Sequence, residues 1–243
     1  MTLAYFFGYA EFVVMLSRSL DVEYHSHHAM QFTFGLEHPL ILQYADDQQI
    51  IAQGVFVPSD TPHLIDSQGG ATLNYLVHPE SLLGGALHDV KPRKLEQASP
   101  MLDADWTALT CESVYAFSSQ FWASFQPQAK PIDPRIQQAI QYIQTMDVVK
   151  ISVQSLADYV NLSPSRFMVL FRQETGIPLR RYLLWHRLIK AFMQILDGMS
   201  FTDAAHEVGF ADAAHLSRTF KQMFGITLQG VFLDKSFMRA AFC

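Results

Sequence analysis

The sequence predicts an α+β chain in which a strand-rich first half precedes an all-helical second half. Up to about residue 80, short runs of alternating apolar and polar residues are separated by turn-forming residues. From Ser152 to Gly225, apolar residues recur at helical spacing, and the order helix, tight turn, helix occurs twice. With 243 residues, 49% of them hydrophobic, the chain is long enough to bury a full core in one or two domains.

Five strands are predicted in the first half from this alternation. They are Phe12–Ser17, Ala29–Leu36, Leu40–Tyr44, Ile50–Val57 and Ala71–Val77. Several short strands of this kind predict a small barrel or sandwich. The apolar start of the chain has no basic region and contains Glu11, so we interpret it as one or two aromatic-rich strands rather than a signal peptide.

A helix is predicted from about Ala104 to Phe125, before a proline-rich linker. Its aromatic face either pairs two copies of the chain or covers the barrel. That face contains Val114, Tyr115, Phe117, Phe121, Trp122 and Phe125. We therefore divide the chain into a first domain at 1–126, a linker at 127–132 and a second domain at 133–243.

The first helix-turn-helix copy has a clear start for its second helix. Ser163 is a natural N-cap, and Pro164 occupies the first helical position, where its missing N–H costs nothing. Phe167 and Phe171 supply the buried face, and Gly176 is a C-terminal signal.

The second copy repeats this pattern, with Ser200 as a cap, Gly209 in the turn, and Leu216 and Phe220 on the core face. Between the copies, a long helix is predicted from Pro178 to about Leu196. A rigid spacer of this kind would hold two reading helices at a fixed separation, and a separation of about 34 Å would place them in successive major grooves.

The segment from about Asp133 to Phe232 resembles the DNA-binding domain of AraC-family bacterial transcription regulators. The resemblance rests on residue types at fixed spacings in both copies. In the first copy these are Leu156-Ala157, Leu162-Ser163, Phe167, Phe171 and Gly176. In the second they are Ala205, Val208-Gly209-Phe210, Leu216-Ser217-Arg218, Phe220-Lys221 and Phe224-Gly225. The sequence departs from the family pattern at Leu228, where a proline usually follows the final glycine.

The resemblance implies double-stranded DNA as the partner and indicates the contacting residues. Base-edge contacts fall at Ser165, Met168, Val169, Ala213, Ala214, Ser217 and Arg218. Arg218 has the geometry to hold a guanine through O6 and N7, whereas Met168 and Val169 offer only apolar contact. Arg166, Arg172, Lys221 and the helix N-terminus after Ser163 are suited to phosphates.

The charge distribution agrees with this division of roles. The formal net charge is −6, which argues against a general nucleic-acid binder. However, the first 132 residues carry 5 Lys and Arg against 14 Asp and Glu, whereas the remainder carries 12 against 9. The basic residues of the second half are therefore available for phosphate groups.

Seven of the ten histidines lie in the first half. His25 and His27 alternate at the start of a predicted strand and are expected to share a face, with His28 pointing outward and tolerating substitution. His63 follows in a turn-rich segment.

These histidines resemble the two halves of the cupin barrel motif, in which an H-x-H pair, a carboxylate and a later histidine converge. AraC-family regulators often carry such a cupin-like domain as their sensor. Here Gln31 or Phe32 stands at the carboxylate position, and Asp60 replaces the usual glycine.

Three interpretations of the histidines stay open at this point. Neutral imidazoles of His25, His27 and His63 would bind Zn²⁺ or Fe²⁺, with Gln31 or water completing the shell. The same residues would instead contact a small effector by hydrogen bonds. They would otherwise be polar residues at a strand end with no ligand.

The sequence thus predicts a cytoplasmic, effector-responsive transcription regulator that is not an enzyme. The alternatives are a metal-dependent cupin enzyme with a helical appendage and a module whose helices bind protein. Two cysteines are too few for a disulfide framework and are expected to be reduced. RNA polymerase and a second copy of the chain are further candidate partners, and no membrane helix is expected.

Overall fold

The computed structural model describes residues 4–9, 11–18, 23–46, 48–87, 90–95, 108–125, 132–232 and 238–243. They form two compact units: unit 1 comprises 1–129 together with 222–243, and unit 2 comprises 130–221. The C-terminal residues therefore group with unit 1, whereas the sequence placed them with the second domain. The predicted linker, 127–132, lies outside the described residues except for Ile132.

The described residues of unit 1 form two sheets. The strands are β1 (Ala4–Gly8), β2 (Phe12–Arg18), β3 (Met30–Gly35), β4 (Leu40–Tyr44), β5 (Gln49–Ala52), β6 (Gly54–Val57), β7 (His63–Asp66), β8 (Ala71–Val77), β9 (Arg93–Lys94) and β10 (Met238–Phe242). One sheet has the order β10-β1-β2-β8-β3-β6-β9, and the other has the order β5-β4-β7. The predicted α+β class, with strands first and helices second, is confirmed.

The two faces of the larger sheet have different partners, because successive side chains of a strand point to opposite faces. Phe32 of β3 and Phe56 of β6 belong to one core cluster, on the same side as Tyr75. Val55 and Val57 of β6 belong to a second cluster with residues of the smaller sheet. That second cluster contains Leu40, Leu42, Val55, Val57 and Ile65.

Helix α2 (Cys111–Phe125) covers the first of these faces. Phe121 stacks on Tyr75 with ring centroids 5.4 Å apart, and Trp122 meets Phe32 edge to face at 5.2 Å. Burying each such aromatic side chain stabilises the fold by roughly 1.5–3 kcal/mol. Phe121 and Trp122 therefore cover the sheet, whereas Tyr115 of the same predicted face is 55% exposed, and the pairing of two copies through this helix stays a prediction. The helix also begins later than predicted, at Cys111, while 104–107 lie outside the described residues.

The predicted bounds of β4 and β8 are confirmed, but the predicted strand Ile50–Val57 is two strands, β5 and β6, in different sheets. Gly54 begins β6 where the chain passes close to β3. A Cβ at Gly54 would lie 2.8 Å from the Phe34 ring, so only glycine fits without displacement. The Gly35 N–H donates to the Gln53 carbonyl at 2.8 Å, which holds this crossing point.

The C-terminal strand returns to the N-terminal strand. Strand β10 pairs in parallel with β1, and the Cys243 N–H donates to the Gly8 carbonyl at 2.9 Å. This pairing brings Cys243 to Cys111, and the two are joined by a disulfide with Cα atoms 5.7 Å apart. The expectation of reduced cysteines is therefore wrong for this structure, because sequence spacing gives no sign of a contact made by strand pairing.

Two short helices complete unit 1: α1 (Leu82–Leu87) follows β8, and α9 (Leu228–Phe232) precedes β10. Leu228, where the AraC pattern has proline, begins α9 and is 1% exposed. The other helices are α3 (Pro134–Thr145), α4 (Val153–Tyr159), α5 (Pro164–Thr175), α6 (Leu179–Leu196), α7 (Phe201–Glu207) and α8 (Ala213–Phe224). No helix among the described residues has the length and apolar character needed to span a bilayer.

The predicted helix signals of unit 2 are confirmed. Ser163 caps α5 by accepting from the Arg166 N–H, and Pro164 stands in the first turn. Gly176 ends α5 in the left-handed conformation, with φ of 78°. Ser200 caps α7 through the Asp203 N–H at 3.1 Å. The spacer α6 buries Leu188 and Trp185 among other residues.

Candidate functional site

The two helix-turn-helix copies close their turns in the same way. Asn161 and Gly209 both have positive φ, 55° and 82°, at the turn between the helices. The N–H that follows each of them donates to a carbonyl of the first helix. Leu162 donates to Ala157 at 2.9 Å, and Phe210 donates to Ala205 at 2.8 Å. This geometry caps the C-terminus of α4 and of α7 and directs each second helix back across the first.

Helix α5 exposes the residues predicted to read DNA in the first copy. Phe167 and Phe171 are fully buried, so the opposite face is presented to solvent. Met168 and Val169 are 45% and 50% exposed, so this face offers apolar contact surface. The exposed predicted residues of this face are Ser163, Ser165, Arg166, Met168, Val169 and Arg172.

Helix α8 presents the corresponding face of the second copy. Leu216 and Phe220 are buried, while Ala214 and Arg218 are exposed. Ala213, Ser217 and Lys221 are half-buried. Every predicted contact residue of both helices thus keeps surface available to a ligand.

The N-termini of the two reading helices differ in charge. Ser163 is a neutral cap, whereas Asp212 caps α8 by accepting from the His215 N–H at 2.6 Å. This hydrogen bond lowers the pKa of the Asp212 carboxyl, as does the nearby Arg218 guanidinium. The start of α5 is therefore suited to a phosphate group, while a carboxylate already occupies the start of α8.

In unit 1, the three predicted histidines come together. Backbone hydrogen bonds join their two segments: His25 and His63 exchange N–H···O bonds of 3.0 and 2.9 Å, and the Asp60 N–H donates to the His27 carbonyl at 2.8 Å. Asp60 has φ of 60°, which is the left-handed backbone conformation that glycine adopts most easily. This conformation explains why the cupin motif usually has a glycine at the position of Asp60. The H-x-H pair lies before β3, which begins at Met30, rather than within a strand.

The imidazole rings form a closely packed, buried group. The centroids of His25 and His63 lie 4.5 Å apart, and each lies 5.3 Å from that of His27. The side chains are 7%, 2% and 0% exposed for His25, His27 and His63. One ring nitrogen of each lies within 4.8 Å of those of the other two, which is a separation compatible with a shared ligand.

Burial and mutual repulsion favour the neutral imidazoles. Burial lowers the pKa of His25, and it lowers the pKa of His27 further, with the charges of His63 and His25 adding to the effect. Burial together with the charge of His25 lowers the pKa of His63 to about 4. At neutral pH these rings therefore carry a lone pair on one nitrogen each.

Gln31 connects the histidines to a buried polar ladder that sequence patterns did not indicate. Its Oε1 lies 2.7 Å from His27 Nε2 and 3.2 Å from His63 Nε2. Its Nε2 donates to Thr33 Oγ1 at 2.8 Å and to Asn74 Oδ1 at 3.2 Å. The ladder continues from Asn74 through Thr72 to Ser17. The cross-strand register that aligns Thr33 with Asn74 explains why only the folded structure shows these residues together.

His28 does not behave as an outward, tolerant residue. It is 3% exposed, and its Nε2 lies 2.7 Å from Glu80 Oε2. Burial raises the pKa of the Glu80 carboxyl, but the charge and hydrogen bond of His28 lower it to about 2 overall. The prediction that His28 points outward is therefore wrong, and we expect its substitution to be destabilising, because its removal would leave a buried carboxylate without this partner.

Comparison with known proteins agrees with the helix-turn-helix geometry of the helical half of the chain. A family described as a helix-turn-helix domain matches residues 156–232. The arabinose operon regulatory protein of Escherichia coli is 34% identical over 97 residues, which is 39% of this chain and 33% of that protein. The lactose operon transcription activator of Staphylococcus xylosus is 27% identical over 115 residues, or 47% and 41%. The chain thus spans about a third to two fifths of the length of these curated relatives.

The solved structure of ToxT from Vibrio cholerae O395 is similar over both units. It has a TM-score of 0.60 at 10% sequence identity, with 93% of this chain and 98% of ToxT covered. An identity this low establishes a shared fold alone. Residues 156–232 therefore belong to the family described as a helix-turn-helix domain, and the chain shares the fold of ToxT.

Proposed function

We propose that this protein is a sequence-specific transcription regulator that binds double-stranded DNA through α5 and α8. The repeated helix-turn-helix geometry carries this proposal, because both second helices bury one face and expose the other. On α8, Arg218 is an exposed fork of donors suited to a guanine edge. On α5, Met168 and Val169 are suited to thymine methyl groups, and Arg166 and Arg172 to the neighbouring phosphates.

The second part of the proposal is that a small ligand in unit 1 modulates this DNA binding. Polar residues buried inside a sheet need hydrogen-bond partners. The buried polar ladder that runs from Ser17 to Gln31 ends at the three histidines. One ToxT structure is described as bound to an unsaturated fatty acid, so a protein of this fold accepts a small molecule. The ligand in this chain would be held by His25, His27, Gln31 and His63.

A titration of labelled duplex DNA with the purified full chain tests the first part. We expect log K to fall linearly with log salt concentration, and we expect a selected duplex to bind on the order of 10³-fold or more tighter than random duplex. Equal affinity for selected and random DNA would contradict sequence-specific regulation. Cytoplasmic location and RNA polymerase contact belong to the same proposal, since a regulator of transcription works at the chromosome.

A further inference from the structure

Both cysteines of the chain lie in a single disulfide. Cys111 is the first residue of α2, and Cys243 is the residue that follows β10. Their Cα atoms lie 5.7 Å apart, although 132 positions separate them in the sequence. Cys243 is exposed and Cys111 is half-buried, so a small thiol in solution can reach the bond through Cys243.

The structure holds the two sides of this disulfide in different ways. On the Cys111 side, the Tyr9 hydroxyl donates to the Cys111 carbonyl at 2.8 Å, and Val114 and Phe121 bury α2 in the core of unit 1. On the Cys243 side, β10 is a five-residue strand at the edge of the larger sheet, where it pairs in parallel with β1. A terminal strand of this kind frays unless it is tied down. Opening the disulfide would therefore leave α2 in place and free β10.

The disulfide also closes a covalent loop that contains all of unit 2. Unit 2 comprises 130–221, which lies between Cys111 and Cys243 in the sequence. With the bond closed, the chain is fixed covalently to α2 at a point after unit 2. With the bond open, the segment after unit 2 is held in unit 1 by noncovalent contacts alone.

That segment begins within the reading helix α8. Residues 222–243 belong to unit 1, and α8 ends at Phe224. Gly225 follows with φ of 71°, and its carbonyl accepts from the Glu23 N–H of the same unit at 2.8 Å. Helix α9 comes next, with its apolar residues buried. The disulfide at Cys243 fixes the far end of the segment, so the closed bond limits the motion of the last turn of α8.

We propose that Cys111 and Cys243 form a reversible thiol–disulfide exchange site whose substrate is a dithiol reductant, and that reduction frees β10 and weakens DNA binding. The effect on DNA rests on the proposed function. A bacterial transcription regulator works in a compartment where thiols are kept reduced. Disulfides that form in such a compartment are usually transient and catalytic or redox-sensing.

Reduction takes two exchange steps. A thiolate of the dithiol attacks Cys243 Sγ, the S–S bond breaks, and Cys111 Sγ leaves as a thiolate that takes up a proton. The second thiolate of the reductant then attacks the reductant's own sulfur in the mixed disulfide, which frees Cys243 and closes a disulfide in the reductant. The protein gains two electrons and two protons, and the dithiol loses the same. The N-terminus of α2 carries partial positive charge, which stabilises the leaving thiolate of Cys111.

The exchange site is tested on the full-length protein, oxidised with glutathione disulfide or reduced with dithiothreitol. Alkylation followed by mass spectrometry counts the thiols, and we expect none in the oxidised chain and two in the folded, reduced chain.

Hydrogen–deuterium exchange of the two states reports on the strands. Reduction should speed exchange in β10 and in β1, because the β1 N–H groups that face β10 lose their acceptors. Strand β2 is the internal control, since it is bonded to β1 and β8 on its two sides and should keep its protection. A bond that excess dithiothreitol leaves closed in the folded chain, or equal exchange in the two states, would overturn the proposal.

DNA binding of the two states is measured with the same selected duplex. Fixing the last turn of α8 raises the population of the binding-competent form, so we expect the reduced chain to bind about 3–10-fold more weakly. Cys243→Ser removes the bond at an exposed terminal residue and should bind like the reduced wild type under both conditions. Equal affinity of the two wild-type states, or tighter binding by the reduced one, overturns the proposal. Redox-dependent exchange in β10 without DNA binding in either state rejects the regulator function and leaves the exchange site standing.

Discussion

The two helix-turn-helix copies share a core but differ in what they expose. Phe171 and Phe220 occupy equivalent buried positions, and the turns before their helices have the same hydrogen-bond pattern. Aligning these two phenylalanines places Val169 of α5 opposite Arg218 of α8. One copy therefore presents an apolar side chain where the other presents a guanidinium.

The N-termini of α5 and α8 also differ, in this case in the charge of the capping residue. The α5 cap is Ser163, which is neutral, and the α8 cap is Asp212, whose carboxylate carries a negative charge at neutral pH. The repeated buried core places the two reading helices in the same way in both copies. The exposed residues of the two helices differ, so we expect the two helices to make different contacts with DNA. We expect α5 to rely on apolar contact with thymine methyl groups and on phosphate contacts, and α8 to rely on a directed hydrogen-bonding base contact.

The largest expected effect tests the buried core that the two helix-turn-helix copies share. Phe171→Ala and Phe220→Ala each remove a buried ring, 0% and 4% exposed, and should each lower the free energy of unfolding by about 3–5 kcal/mol. Denaturant unfolding of the two variants measures this. A loss in one copy and none in the other would show that the cores are not equivalent.

The second prediction concerns the aligned pair of exposed residues. Arg218→Ala should weaken binding to the preferred duplex by about 1–3 kcal/mol and relax the preference at one base pair, because a bidentate guanine contact is removed. Val169→Ala should cost less, since it removes only apolar contact. Competition assays with single-base variants of the duplex make the comparison. Equal relaxation at every position in both variants would contradict the assignment.

The third prediction separates phosphate contacts from base contacts. Lys221→Ala and Arg172→Ala should weaken all duplexes alike and reduce the slope of log K against log salt concentration by about one unit each. Binding isotherms at several salt concentrations give the slope. An unchanged slope in either variant would remove that residue from the phosphate contacts.

The smallest expected effect concerns the caps. Asp212→Ser keeps a capping oxygen but removes a negative charge near the DNA, so it should strengthen binding slightly at low salt. Ser163→Asp makes the opposite change and should weaken binding. Both effects should fade as salt is raised, since the groups are exposed. The same sign for both variants would show that the two helix ends are not positioned alike on the duplex.

Local sequence patterns predicted the second half of the fold well, because its signals are local. Caps such as Ser163 and terminators such as Gly176 act within one turn of helix, and the helices begin and end near them. The first half depends on contacts between distant residues. The return of β10 to β1, which brings Cys243 to Cys111, has no local signal.

The histidine site was predicted in part for the same reason. The H-x-H spacing and the later His63 indicated convergence, and the structure brings these rings together. The polar ladder that orients Gln31 depends on the pairing of β3 with β8, which places Thr33 beside Asn74. His28 was misplaced because strand alternation was assumed before β3 begins, whereas the loop there turns His28 toward Glu80.

Selection of random duplex DNA by the purified full-length chain tests the central claim most directly. The account predicts that sequencing of the retained fragments yields a bipartite motif with half-sites about 10–10.5 base pairs apart, which is the spacing expected of two reading helices in successive major grooves. It also predicts that Arg218→Ala degrades one half-site and leaves the other intact. Retained fragments with no shared motif, or a single half-site unaffected by Arg218→Ala, would contradict it.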